Sequence, residues 1–370
     1  MSGQSLRNGH AGVLVVFFFP VISFFLPALA HADGSSIHTL NEEQKTEKRL
    51  LFNQYIEDEL ERARKKKSSE GQPPAKKNLI SRVSAAYGYD SNVNLDSSHR
   101  GDQFFQATAE GSFDFVRRAN FPTPWEAKMG LTGYAEYLAY ESMEGSDYNS
   151  STLSGFTEER LTPQSALKLQ YDLNIVRYMN NDQLTYLGHK FKSTLMHYPT
   201  QHFSHNIFVS YERKDFRDRK ALSVSDLPLD RLRKDDYYEA GYGTRYYPTD
   251  RTYLGATLAW KWNDSNDLFH DFSDYDGYKV NGFIYQKLTG RFSVVGFLGY
   301  DHKDYSARTF ITGSDRTEKD DFYYYGGYVY HDLNKNWQAF LSYLYKQNNS
   351  NDPAQEYVGY TSGAGLNLTF

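Results

Sequence analysis

From residue 79 to residue 370, apolar and polar side chains alternate with a period of two. In one segment Leu254, Ala256, Leu258, Trp260 and Trp262 share a face, against Tyr253, Gly255, Thr257, Ala259 and Lys261. A second sets Trp125, Ala127, Met129, Leu131, Ala135 and Tyr137 against Glu126, Lys128, Gly130, Thr132 and Glu136. A third sets Leu167, Leu169, Tyr171, Leu173 and Ile175 against Lys168, Gln170, Asp172 and Asn174. Such alternation belongs to strands with one dry and one wet face. It predicts about fourteen strands, each long enough to cross a bilayer when tilted. They are expected at 79–90, 103–116, 125–140, 148–160, 165–178, 184–198, 203–214, 236–247, 252–263, 275–288, 291–303, 320–332, 336–348 and 357–370.

The connections alternate as well. Every second one is short and turn-like, as in Leu161-Thr162-Pro163-Gln164 and Tyr247-Pro248-Thr249-Asp250. The others are mostly longer and more polar, above all 215–235 and 304–319. Short turns on one side and long loops on the other describe a transmembrane antiparallel up-and-down β-barrel, all-β, with both ends in the periplasm. Within 215–235, the stretch Asp226 to Leu229 is the only apolar island, so that loop is expected either to fold inward as a constriction or to act as an outer lid.

The last strand sets Tyr360, Ala364, Leu366, Leu368 and Phe370 against Thr361, Gly363, Gly365, Asn367 and Thr369. It resembles the C-terminal signature read by the barrel assembly machinery, an alternating apolar strand with a final aromatic. Tyr360, Leu366, Leu368 and Phe370 are therefore expected to carry that signal.

The first residues read differently. Arg7 and His10 precede an apolar run, Val13 to Leu29, followed by Ala28-Leu29-Ala30-His31-Ala32. Charge, apolar core and small-residue ending predict a secretory signal peptide over 1–32, cut after Ala32 or Ala30. Residues 33–78 then form an expected periplasmic helix and linker. Phe52, Ile56 and Leu60 make a narrow stripe within a helix over 41–66, which ends in Arg62, Arg64, Lys65, Lys66 and Lys67. The helix is expected to be solvated, or else to bind a periplasmic partner or enter the lumen by its cationic end. Ser68 to Lys77, with its Pro-Pro pair, reads as the linker.

Composition agrees. A mean hydropathy of −0.69 suits a barrel, which shows lipid only every second side chain. An aromatic share of 16 % exceeds what a core needs and supplies girdles at the two membrane interfaces. A net charge of −5 with no basic stripe gives no reason to expect nucleic acid as a partner, and the absence of cysteine excludes disulfides and thiolate sites. The expected partners are outer-membrane lipid, lipopolysaccharide and the assembly machinery.

A barrel of this size is too wide for side chains to fill as they fill an eight-stranded one, so a water-filled or partly plugged lumen is expected. The lumen-facing acids fall early, at Glu110, Asp114, Glu126, Glu136 and Glu158. The lumen-facing bases fall late, at Lys261, Lys279, Lys287 and Lys346. Strand three faces strand ten across such a ring. The two sets would then form opposed acidic and basic walls with a transverse field. The alternative is pairing of lumen charges with neighbours on adjacent strands, as Lys128 with the acids around it.

Dedicated chemistry is sparse. Asp90, Asn92, Asn94 and Asp96 alternate like the start of a calcium loop, but Leu95 stands where a glycine is needed. His189, His197, His202 and His205 form no metal motif and read as interfacial residues. No metal, cofactor or catalytic set is expected, so the chain is read as a non-enzyme.

The layout over 79–370 resembles Gram-negative porin-like barrels. More narrowly, Gly88-Tyr89-Asp90-Ser91-Asn92-Val93-Asn94 resembles the opening of barrels in surface lipoprotein assembly modifiers and polysaccharide-export-associated porins. The first resemblance implies passive passage of small polar solutes. The second implies export or surface assembly of lipoprotein or polysaccharide with a periplasmic partner.

Overall fold

The computed structural model describes residues 79–93, 100–118, 126–179, 184–223, 227–267, 274–309, 317–353 and 355–370. The expected signal peptide, the helix over 41–66 and its linker lie outside them. So do Trp125, Asn94 and Asp96.

The alternation becomes fourteen antiparallel strands closed into one barrel. They are β1 (Leu79–Asp90), β2 (Asp102–Arg118), β3 (Glu126–Tyr140), β4 (Tyr148–Thr162), β5 (Ser165–Tyr178), β6 (Tyr186–His197) and β7 (Phe203–Leu222). Then follow β8 (Pro228–Thr249), β9 (Thr252–Ser265), β10 (Tyr275–Lys287), β11 (Phe292–Thr309), β12 (Thr317–Asp332), β13 (Trp337–Ser350) and β14 (Tyr357–Thr369). Each pairs with its sequence neighbours, and β14 returns to β1 from Arg82↔Thr369 to Asp90↔Thr361. Closure leaves no edge strand, the condition for a sheet in hydrocarbon, where an unpaired N–H or C=O has no water to turn to.

Exposure follows the alternation. On β1, Val83, Tyr87 and Tyr89 are exposed, while Ser84, Ala86 and Asp90 are buried. The outward rows carry Leu153, Leu169, Ile207, Leu298 and Leu341, a belt suited to lipid. Aromatic rings bound it above. Tyr211 lies 5.1 Å from Tyr238, and Tyr238 stacks on Trp262 at 5.3 Å. The row continues through Tyr278, Tyr300 and Tyr323 on β10 to β12, and through Tyr345, Tyr360 and Tyr89 to β1. Below lie Phe203, His205, Tyr246, Phe292, His331 and Trp337. Trp337 and Tyr345 on β13 are separated by roughly 20 Å along the axis, close to the apolar height of an outer-membrane barrel. The histidines lie where an interface has use for them. His197 packs edge-on against His205 at 5.1 Å, and His202 bonds the Tyr247 carbonyl at 2.8 Å.

Two expected loops are strand instead. Residues 215–235 hold the ends of β7 and β8, 20 and 22 residues long, which run on as a paired hairpin with a connection at 223–227. Residues 304–309 and 317–319 similarly extend β11 and β12. High charge at these positions reads as loop from sequence. A hairpin above the membrane has water on both sides and tolerates charge on both rows. The apolar island at Leu227 is 64 % exposed at the tip and does not fold into the lumen.

Candidate pore lining

The inward rows are polar and charged, and their charges are braced along the wall. Lys261 on β9 reaches past β10 to Asp301 on β11, with Nζ 2.6 Å from Oδ2. Its path crosses Gly277, where an added Cβ would lie 3.2 Å from Lys261 Cε. Lys346 on β13 passes over β14 to Asp90 on β1, at 2.9 Å from both carboxylate oxygens. It crosses Gly359, again 3.2 Å from the lysine Cε.

The same arrangement recurs with other chemistry. Asn174 on β5 donates to Glu212 on β7 at 3.0 Å, above Gly188 of β6. The Tyr324 ring on β12 lies against Gly299 of β11 and donates its hydroxyl to Asn281 of β10 at 2.6 Å. Lys279 on β10 reaches Glu239 on β8 at 3.1 Å past Ala259 of β9, which is fully buried. In each case a residue with little or no side chain on the middle strand leaves a slot. Any branched side chain there would occupy the path. These braces lie in one layer, near the level of the upper aromatic girdle.

Aromatic faces hold other cations to the wall. Lys261 and Lys303 flank the Tyr275 ring at 5.3 and 5.1 Å. Lys192 lies 4.7 Å from the centre of Phe208. Cation–π contacts of this kind keep a lysine stem on the barrel surface.

The residues expected to line the pore take these places. Glu110 is half-buried on β2, opposite Arg82 and Tyr134 in register. Glu136 is buried and accepts a bond from Gln106 Nε2 at 2.6 Å. Glu158 stands in register between Lys128 and Lys168, whose ammonium groups lie 5.5 and 4.8 Å from the Phe156 ring. Asp114 and Glu126 belong to β2 and β3, with side chains outside the described set. Lys261, Lys279 and Lys346 are the braced lysines above, and Lys287 sits at the turn end of β10 opposite Ser293.

Charges of both signs occur around the whole lumen. Lys190 and Lys192 lie on β6, and Glu212, Glu239 and Asp301 line β7, β8 and β11. Lys261, Lys279 and Lys346 each pair with a carboxylate two strands away along the wall, not with a neighbour on an adjacent strand. Sequence reading missed Asp90, Glu212, Glu239 and Asp301 as partners. Their inward parity was visible, but the pairing needed the register.

The lumen also has apolar surface. Toward the outer rim, Phe104, Tyr140, Tyr148, Tyr178, Tyr186 and Phe216 pack into one cluster, joined by Val93 and Leu184 from connecting loops. Toward the turn end, Val295 and Tyr330 pack with Tyr285, Phe297, Tyr328 and Phe340. The last strand turns Val358, Tyr360, Leu366 and Phe370 outward, and Phe370 N–H donates to Ser81 O at 3.0 Å.

At the outer rim, Asp147 follows the short 3-10 turn Glu144–Ser146. Its Oδ1 accepts the Tyr140 N–H at 2.7 Å, and its carbonyl accepts the Met179 N–H at 3.0 Å. Burial pushes its carboxyl up to about 6, opposed by the Tyr140 bond and reinforced by Glu144 and Asp102. The folded state therefore holds this proton more tightly than the unfolded chain. That contribution to stability is largest near pH 4, declines as pH rises to about 6, and is gone above it. The protection factor of the Met179 amide is expected to fall from pH 4.5 to pH 7, with Asp147→Asn flattening the profile. Equal slopes in both proteins would refute the assignment.

No family model matches the chain, and no curated protein matches it in sequence. Solved structures are similar only remotely. The outer membrane channel DcaP of Acinetobacter baumannii aligns at 10 % identity over 79 % of this chain and 96 % of that one, with a TM-score of 0.46. An anion-selective porin from Comamonas acidovorans aligns at 10 % identity over 79 % and 98 %, with a TM-score of 0.42. An outer membrane channel from Pseudomonas putida F1 aligns at 11 % identity over 81 % and 100 %, with a TM-score of 0.40. On its own geometry, a closed sheet belted by lipid-facing residues between two aromatic rows, the chain is an outer-membrane β-barrel of porin-like architecture.

Proposed function

We propose that this barrel is a channel through which small polar solutes pass passively, with the layer of braces as its charged ring. The observation that carries the reading is the direction of the charged side chains. Lys261, Lys279 and Lys346 run along the wall to partners two strands away. Fourteen strands tilted by about 40° and about 4.8 Å apart give a backbone diameter of about 28 Å, wider than two facing layers of side chains.

Each of these three ammonium groups touches a carboxylate, so the braces themselves are close to neutral. Small anions and cations should then pass with similar ease, and dipolar solutes should meet alternating partners around the wall. The test is single-channel conductance of refolded residues 33–370 in a planar bilayer. Steady conductance with little charge preference is expected, and it should survive removal of residues 33–78. A folded barrel without conductance would overturn the reading. Conductance that depends on residues 33–78 would favour an export barrel working through that segment.

A further inference from the structure

Several inward rings lie over the glycine directly opposite them on the next strand. Phe297 on β11 covers Gly326 of β12, and Phe340 on β13 covers Gly365 of β14. A Cβ on Gly326 would stand 3.1 Å from Phe297 Cζ, and one on Gly365 2.5 Å from Phe340 Cζ. Phe283 on β10 covers Gly255 of β9 in the same way. A missing Cβ lets each ring lie flat along the wall, with its second face turned to the lumen.

These rings are neighbours. Phe283 pairs with Phe297 in register, and Tyr328 lies 6.0 Å from Phe297 and 6.2 Å from Phe340. All four are half-buried, so each keeps open surface. Phe208 on β7 makes a contrast. It also lies over a glycine, Gly241, but it is buried and Lys192 sits 4.7 Å from its ring centre.

Beside Phe340 the wall is low. There β14 and β1 carry only Gly363, Gly365, Ser84 and Ala86 on the inward rows. Beyond them Gln106 of β2 donates to Glu136 of β3 at 2.6 Å. Tyr328 and Glu136 stand five strand steps apart around the ring, yet the carboxylate is close enough to act electrostatically on the Tyr328 hydroxyl. On the outer side, the Phe104 ring crosses Gly88 toward Gly363 and bounds the gap. The result is a slot with a floor of small residues, one side of ring faces and one side of hydrogen-bonding groups.

We propose that this slot binds a neutral hydroxylated ring of the pyranoside class on its way through the lumen. The C–H face of such a ring is apolar and packs on Phe297, Tyr328 and Phe340. Its hydroxyls point sideways, where Gln106 and Glu136 can take them, and a hydroxyl donating to a carboxylate makes the stronger kind of hydrogen bond. An open-chain polyol has the hydroxyls without the rigid face. A planar heterocycle has the face with fewer hydroxyls around it. The proposal rests on the channel reading and names a solute class for it.

The test is a titration of refolded residues 33–370 in detergent with cellobiose, read by saturation-transfer NMR, which needs no conductance. Cellobiose should bind roughly fivefold or more tightly than sorbitol or adenosine. Phe340→Leu keeps apolar volume but removes the flat face, and should weaken binding about fivefold. Glu136→Gln should weaken it by a similar factor, and Phe208→Leu should leave it within twofold.

Heat-modifiable migration checks that the variants are folded, and Phe297→Leu replaces Phe340→Leu if that one is not. Equal affinity for sorbitol, tighter binding of adenosine, or ring and Glu136 variants within twofold of native would overturn the assignment. Binding by a barrel that does not conduct would support the slot and end the channel reading. Conductance without binding would end the slot alone.

Discussion

Lys346→Met is expected to cost the barrel about 3–5 kcal/mol, the range for removing one partner of a buried ion pair. Lys346 and Asp90 have side chains only 3 % and 4 % exposed. Asp90 also accepts the Asn92 N–H at 3.1 Å, and Lys346 donates to the Asn92 carbonyl at 3.4 Å. The pair thus ties β13 to the top of β1 across β14, at the seam where the first and last strands meet. With the ammonium gone, the Asp90 carboxylate stays in a site that water barely reaches. Asp90→Leu added to Lys346→Met should recover most of the loss, because the orphaned charge is then removed.

Gly359→Val should mimic the single variant. Its side chain would stand where Lys346 crosses β14, with the first added carbon 3.0 Å from Asn92 Cβ. The measurement is urea unfolding of refolded barrels in detergent, followed by heat-modifiable migration and tryptophan fluorescence. If the single and double variants unfold at the same urea concentration, the seam brace does not hold the barrel shut.

The dependence on Gly359 shows what the sequence conceals. The strand number, the faces of β3, β5 and β9 and the outward set of the last strand are legible because alternation is a local property of adjacent residues. Lys261 and Lys279 can be assigned to the inward side for the same reason. Their partners cannot, because Asp301 and Glu239 lie 40 residues away in sequence in both cases, and only the pairing register brings them within reach. The middle residue is harder still. Gly277 looks like any strand glycine until Lys261 is seen to pass over it. Residues 215–235 fail in the opposite direction. Their charge pattern marks exposure to water correctly, but a hairpin beyond the membrane is exposed on both faces and gives no clean period of two.

Opening two of the braces should convert the near-neutral ring into an anion-selective one. Glu239→Gln removes the carboxylate that Lys279 touches and on which Lys190 and Lys192 also act. Asp301→Asn removes the partner of Lys261, beside Lys303 on the same strand. The lysine stems are long and flexible, and a freed ammonium can swing from the wall into lumen water. A unit charge about 5 Å from a passing ion in water changes its energy by about 0.8 kcal/mol, close to fourfold in partitioning.

The double variant should therefore favour chloride over potassium severalfold, where the native channel shows little preference. The reversal potential in a potassium chloride gradient reads this directly. Lys279→Gln, which removes the cation of the same brace, should move the potential the other way. A native channel that is already strongly anion-selective, or variants that leave the potential unmoved, would mean that ions pass elsewhere than along this ring. Opposite shifts from the two halves of one brace would place the permeation path beside Lys279, because only a charge near the path can act on both signs of ion in opposite senses.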